Sequence, residues 1–184
     1  MDTTSQPTHA TLVQPWVETP RIVLRAWQTD DLDAFARLTA DPQVVRYVGD
    51  GTVLSREQTA EWIVIANRNI GKWGFGTHAV VERESGSVIG WAGLIHSDQA
   101  QETAAEIIYA LSPAAWGRGY ATELARGILD WAWRHSKLER VIATIAPDNA
   151  ASIAMMGKLG FVSEGIVMHD GEVPVAHFCY PRPD

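Results

Sequence analysis

The chain has 184 residues, 46% of them hydrophobic and 20% charged, which suits one domain with a full core. A net charge of −7 with no cluster of Lys and Arg excludes a nucleic-acid footprint, and no apolar run approaches the ~20 residues that a membrane span needs. One cysteine, Cys179, and six scattered histidines exclude a disulfide framework and predict no metal site; the chain start lacks a signal-peptide pattern, so a cytoplasmic location is expected.

Residues 1–18, rich in Thr, Gln and Pro, read as a flexible tail with little to bury, and the domain is expected over 19–182. A short strand over 22–26 leads to Thr29, a candidate N-cap with Asp30 and Asp31 in the first turn, and Leu32, Phe35 and Leu38 give the stripe of a helix. After a break at Asp41 and Pro42, Ser55-Arg56-Glu57-Gln58 is a capping box. The helix it opens turns Thr59, Trp62, Ile63, Ala66 and Ile70 inward and is expected to end at Gly71. From Gly74 the hydrophobic period changes to that of extended chain. Strands are predicted over 77–83 and 88–95, joined by a hairpin turn at Glu84-Ser85-Gly86-Ser87, and an apolar strand over 105–111 follows. Next comes a helix over 120–135, with Tyr120, Leu124, Ile128 and Trp131 on one stripe and Ala121, Ala125, Leu129 and Ala132 on the next. A strand over 140–146 precedes a helix that runs from the N-cap Asn149 to Leu159, with Gly160 as its left-handed terminator. Strands over 161–167 and 175–180, turning at Asp170 and Gly171, close the chain as a hairpin. The fold class is therefore α+β: a single domain with a mixed, mostly antiparallel sheet of about seven strands and about four helices.

The stretch Trp116-Gly117-Arg118-Gly119-Tyr120-Ala121-Thr122-Glu123 lies between the apolar strand and the long helix. Two glycines one residue apart permit a tight turn and keep side chains out of a ligand's approach. The first N–H groups of the helix lack internal partners and suit a phosphate. A plain strand-to-helix turn is the competing reading. The dinucleotide fingerprint fails, because Thr122 stands where its third glycine or alanine belongs and 140–145 holds no Asp or Glu. The Gly-Lys-Ser/Thr loop of nucleotide-binding proteins fails at Gly71-Lys72-Trp73 on both sides.

Gly119, Tyr120 and Ala121 fit the end of Gln/Arg-x-x-Gly-x-Gly/Ala, the coenzyme loop of the GNAT acetyltransferases, with Trp116 in place of the leading Gln or Arg. The element order over about 19–182 resembles the GNAT fold, and within it the RimJ/RimL branch, the ribosomal-protein-alanine N-acetyltransferase-like enzymes. That resemblance is carried by Thr19-Pro20-Arg21-Ile22-Val23-Leu24-Arg25, by Gly90-Trp91-Ala92-Gly93-Leu94, by the loop itself, and by Asn149-Ala150-Ala151-Ser152 ending in Lys158-Leu159-Gly160-Phe161. It implies acetyl-CoA as cosubstrate, held by Leu111, Trp116, Gly117, Arg118, Gly119, Tyr120, Ala121, Thr122, Asn149 and Ser152. The acceptor it implies is an amine-bearing small molecule or a protein N-terminus, without nucleic acid or membrane, and with room for a homodimer.

Acetyl transfer to an amine needs a neutral nucleophile, so a lysine side chain with a reference pKa of ~10.4, or an α-amine near ~7.8, must first lose a proton. Glu106 stands where similar enzymes present a carboxylate to the amine, usually through water. A solvent-facing strand residue is the competing reading, and Glu102 lies close by. The resemblance gives Asn149 and Ser152 contacts with the pantetheine or thiol end of the coenzyme, beside their local role as N-cap and first-turn residues. Four places after Ser152, where many GNAT enzymes carry a tyrosine that protonates the leaving thiolate, this chain has Met156. Ser152 or water must then serve, or the thiolate leaves unprotonated. Glu106 and Ser152 are thus the catalytic candidates. The eight tryptophans read mainly as core or coenzyme-edge packing, with Trp62 and Trp73 flanking the segment that borders the acceptor in similar enzymes. Nothing near Cys179 in sequence lowers its pKa, so direct transfer without an acetyl-cysteine is expected. The alternative function is an acyl-CoA sensor or interaction module that kept the loop and lost the chemistry.

Overall fold

A computed structural model describes residues 14–96, 103–169 and 173–183. Eight strands form one sheet: β1 (Val17–Glu18), β2 (Ile22–Arg25), β3 (Thr77–Glu82), β4 (Val88–Ile95), β5 (Ala104–Leu111), β6 (Arg140–Ile145), β7 (Val162–His169) and β8 (Val173–Pro181). Five helices accompany them: α1 (Leu32–Thr39), α2 (Pro42–Val45), α3 (Arg56–Trp73), α4 (Tyr120–His135) and α5 (Ala150–Leu159). Across the sheet the strands run β1-β2-β3-β4-β5-β6-β8-β7, and every neighbouring pair is antiparallel except β5 and β6. The α+β class and the mixed, mostly antiparallel sheet are as expected. Two short elements, β1 and α2, are additional.

Strand alternation divides the core between the two faces of the sheet. On one face Ala92, Leu94, Ala105, Ile107 and Leu111 pack with Leu124, Ala125 and Ile128 of α4 and with Met155 and Met156 of α5. On the other, Ala79, Trp91 and Ala110 pack with Phe35 and Leu38 of α1, Val44 and Val45 of α2 and Ala66 of α3. Phe35 is the centre of this second cluster, 4.1 Å from the Trp27 ring, 5.2 Å from Trp62 and 5.3 Å from Trp91. The fold thus uses Trp27 and Trp91 as core, while Trp73 and Trp116 remain exposed. Gly93 is required by close approach: a Cβ there would lie 1.8 Å from the Gly76 carbonyl oxygen.

Three local expectations need correction. Thr29 sits in a 3-10 turn rather than capping α1; Asp31 organises the turn instead, accepting the Gln28 N–H at 2.7 Å and pairing with Arg25 at 2.6 and 2.8 Å. The break at Asp41 and Pro42 is the start of α2, because Asp41 accepts the Gln43 N–H and Pro42 needs no donor in the first turn. Helix α3 continues past Gly71 to Trp73. Its terminator is Gly74, whose φ of 75° brings its N–H back to the Ile70 carbonyl. The capping box at Ser55 and Gln58 and the caps of α5 at Asn149 and Gly160 form as read from the sequence. The expected hairpin turn at Asp170 and Gly171 lies outside the described residues.

His78 on β3 is buried, stacked 4.1 Å from the Trp16 ring at an interplanar angle of 2°, with Nδ1 2.9 Å from the Gly76 carbonyl. Burial disfavours its cation and lowers its pKa to about 4, against a smaller opposing effect of the Gly76 bond. The unfolded chain takes up this proton near the reference value of about 6.5 and the folded one only near 4, so stability is lost as pH falls through that window. The contribution is about 3 kcal/mol when complete, from the size of the shift. His78→Phe, which keeps a stacking ring but cannot titrate, is expected to show a smaller fall in urea midpoint between pH 7 and pH 4.5 than the parent. Parallel midpoint curves for the two would contradict this assignment.

Candidate active site

Strands β5 and β6 are paired only across Ala104–Glu106 and Arg140–Ile142. Beyond Glu106, β5 continues to Leu111 with β4 as its partner, and beyond Ile142, β6 continues to Ile145 with β8 as its partner. The two strands therefore part, and a cavity of about 1140 Å³ lies between them, lined by 107–111 on one side and 143–146 on the other. Glu106 is at the fork. It is 7% exposed, against the solvent-facing alternative, and the Thr144 hydroxyl and the Thr144 N–H, the latter at 3.3 Å, both donate to its Oε1. A carboxylate out of water needs such donors. Thr144 was not picked out from the sequence, where it sits in an ordinary strand pattern. Glu102, the other carboxylate considered, lies outside the described residues.

At the far end of β5 the chain turns through Pro113–Ala115 into the glycine loop. Trp116 caps the strand end: its indole N–H donates to the Leu111 carbonyl at 2.8 Å. Gly117 and Gly119 have φ of 70° and 79°, a backbone state that other residues rarely adopt. Gly119 is the N-cap of α4 and offers no side chain to the first turn, so the leading N–H groups of a 16-residue helix are left for a ligand. Gly117, Gly119, Tyr120, Ala121 and Thr122 all line the cavity, as do Leu111 and Trp116. Arg118 does not. Its guanidinium lies 4.9 Å from the Tyr120 ring and 3.5 Å from Glu82, and its carbonyl accepts from Arg21 at 2.9 Å.

The Thr19–Arg21 segment holds this loop from outside. Arg21 Nε pairs with Glu123 at 2.6 Å, the Arg21 N–H and the Thr19 hydroxyl donate to the same carboxylate at 2.9 and 2.6 Å, and the Arg21 guanidinium lies 4.4 Å over the Tyr120 ring. Tyr120 in turn donates to Glu82 on β3. Burial pushes the Glu123 carboxyl up, but the hydrogen bonds from Thr19 and Arg21 and the Arg21 charge together outweigh it and hold the group below its usual range. The sequence showed the Thr19–Arg25 stretch as a resemblance but gave it no task; 102 residues separate Arg21 from Glu123, and no local pattern marks the pair.

The third wall comes from α5. Asn149 accepts the Ser152 N–H at 3.2 Å as N-cap, and Ser152 Oγ accepts the Tyr109 hydroxyl at 2.7 Å. Asn149, Ser152, Tyr109 and Met156 all face the cavity, which Arg46, Tyr47 and Trp62 border from the side of α2 and α3. The site thus joins a buried carboxylate, a hydroxyl pair, two parted strand edges and a free helix N-terminus.

Residues 21–162 match the family model described as Acetyltransferase (GNAT) domain. This chain belongs to the GNAT acetyltransferase family. The uncharacterized N-acetyltransferase p20 of Bacillus licheniformis is 28% identical over 149 residues, covering 81% of this chain and 83% of the relative. A GNAT-family acetyltransferase from Bacillus anthracis superposes with a TM-score of 0.76 at 25% identity, over 90% of this chain and 98% of that one. RimL, a ribosomal-protein α-N-acetyltransferase solved with coenzyme A, has the same fold, with a TM-score of 0.77 at 17% identity over 91% of this chain and 98% of its own.

As a GNAT enzyme this protein is an acetyl-CoA-dependent acyltransferase, and acetyl-CoA is its cosubstrate. The glycine loop fits that group: its donors are free, and its two left-handed positions carry no side chain. A branched residue at Gly119 would have to hold φ near 79°, a state costing about 1–2 kcal/mol. Gly119→Val is expected to keep its near-ultraviolet circular dichroism but to bind acetyl-CoA more than tenfold more weakly by calorimetry. Unchanged affinity would show the loop to be a structural turn only.

Proposed function

We propose that this GNAT protein transfers the acetyl group of acetyl-CoA directly to a primary amine, on a protein N-terminus or on a small molecule, with Glu106 as the base and Ser152 at the departing sulfur. The observation that carries this reading is the buried Glu106 at the fork between β5 and β6, held by Thr144 in the same cavity that the glycine loop enters. A sensor that only bound the coenzyme would have no use for a buried carboxylate there.

The coenzyme supplies an acetyl thioester, and the chain supplies position and proton handling. Parted edges of β5 and β6 offer backbone groups to the pantetheine arm, and the N-terminus of α4 offers N–H groups and the positive end of its dipole to the pyrophosphate. Glu106 accepts a proton from the incoming amine, through water, as the nitrogen attacks the carbonyl carbon. An α-amine, with a reference pKa near ~7.8, needs less of this help than a lysine at ~10.4. The α-N activity of RimL makes protein N-termini the first acceptors to try. Cys179 takes no part: it lies on β8 outside the cavity, and burial, followed by Glu164, raises its thiol above the usual range.

Glu106→Gln keeps the size and loses the basic site, so turnover is expected to fall by ~10²–10⁴ near neutral pH, with acetyl-CoA affinity little changed. The deficit should narrow as pH rises toward the amine's own pKa, because more of the amine is already neutral. Thiol release over a panel of amines and N-terminal peptides measures both. Near-normal turnover of the variant would remove Glu106 as the base. In the same assay Cys179→Ala is expected to keep most activity, and parallel-line kinetics with an acetylated Cys179 would refute direct transfer.

A further inference from the structure

Helix α5 places Ser152 and Met156 one turn apart on the face that lines the cavity. Met156 is 1% exposed and has no proton to give, so this face of α5 carries a single hydroxyl into the cavity. That hydroxyl does not stand alone. From the opposite wall Tyr109, three residues beyond Glu106 on the part of β5 that has left β6, reaches Ser152 Oγ at 2.7 Å with the tyrosine as donor.

We propose that Tyr109 is a positioning residue for the leaving group: by donating to Ser152 Oγ it directs the serine O–H toward the departing sulfur. A serine hydroxyl has one hydrogen and two lone pairs. With one lone pair taken by Tyr109, its own hydrogen turns to another acceptor, and the chain Tyr109 O–H, Ser152 O–H, sulfur forms as the thioester C–S bond breaks and the sulfur keeps the electron pair. Each bond polarises the next. Neither residue is deprotonated; the thiolate is held by a hydrogen bond until solvent protonates it. Burial raises the Tyr109 phenol above its usual value, against a smaller opposing effect of Ser152, which keeps the tyrosine a donor throughout the working pH range.

This inference rests on the coenzyme-site reading, and free coenzyme A tests it without any acceptor. The ultraviolet absorbance of its thiolate is titrated in complexes with the parent, Tyr109→Phe, Ser152→Ala and the double variant. A hydrogen-bond donor to the sulfur lowers the thiol pKa. Both single variants are therefore expected to titrate at higher pH than the parent by a similar amount, at least about half a unit, and the double variant no higher than either, because the pair acts as a unit. Arg46, His96, Glu106 and Lys158, the other charged or titratable side chains bordering the cavity beside the tyrosines, are the same in all four proteins. Tyr109→Phe removes one oxygen and leaves the packing ring, so coenzyme A affinity within a few-fold of the parent confirms an intact site. Binding with an unshifted titration in Tyr109→Phe would overturn this inference alone. Failure of the parent to bind coenzyme A would overturn the coenzyme-site reading and this inference with it.

Discussion

The parting of β5 from β6 is the constraint on which the rest of the molecule depends. A parallel pair that stops after Glu106 and Ile142 leaves two strands with one satisfied edge each and one edge facing a cavity. Inside a sheet such edges are costly unless something pairs with them. On the reading proposed above, the coenzyme's extended, amide-bearing arm pairs with them. The fork also sets a carboxylate at the cavity, because the last paired residue of β5 is Glu106, and Thr144, two residues past the fork on β6, supplies the donors that meet it.

Around the fork, two further walls of the cavity are anchored by contacts of different kinds. The α5 wall is set by local structure: Asn149 caps α5 and so aims Ser152 at the cavity, where Tyr109 meets it. The glycine-loop wall is set by distant structure. Thr19 and Arg21, before and at the entry to β2, grip Glu123 in the first turn of α4, while Tyr120 reaches Glu82 on β3. The helix N-terminus is thereby held by strands distant in sequence, so its free N–H groups need not reorganise when they meet an anion.

What the sequence made legible followed from short-range rules. The change from helical to extended period at Gly74, the capping box at Ser55, the Asn149 cap, the Gly160 terminator and the glycine loop are all set within four or five residues, and the structure has them. Long-range partners left no such signal. Thr144 looks like any strand threonine until Glu106, 38 positions away, is brought beside it; Tyr109 sits in an apolar run whose one hydroxyl finds its partner 43 positions on. A helical glycine and a terminating one look alike in sequence, and the left-handed backbone of Gly74 is what marks it, not Gly71, as the end of α3.

Amide hydrogen exchange with and without saturating acetyl-CoA tests the parted strands most directly. Slower exchange is predicted at those β5 amides over 107–111 that point away from β4 and at the first amides of α4, because these donors have no backbone partner in the free chain, whereas β6 keeps β8 and the Thr144 N–H already meets Glu106. Saturated binding with no added protection at those β5 amides or at the first amides of α4 would place the coenzyme elsewhere and contradict the account.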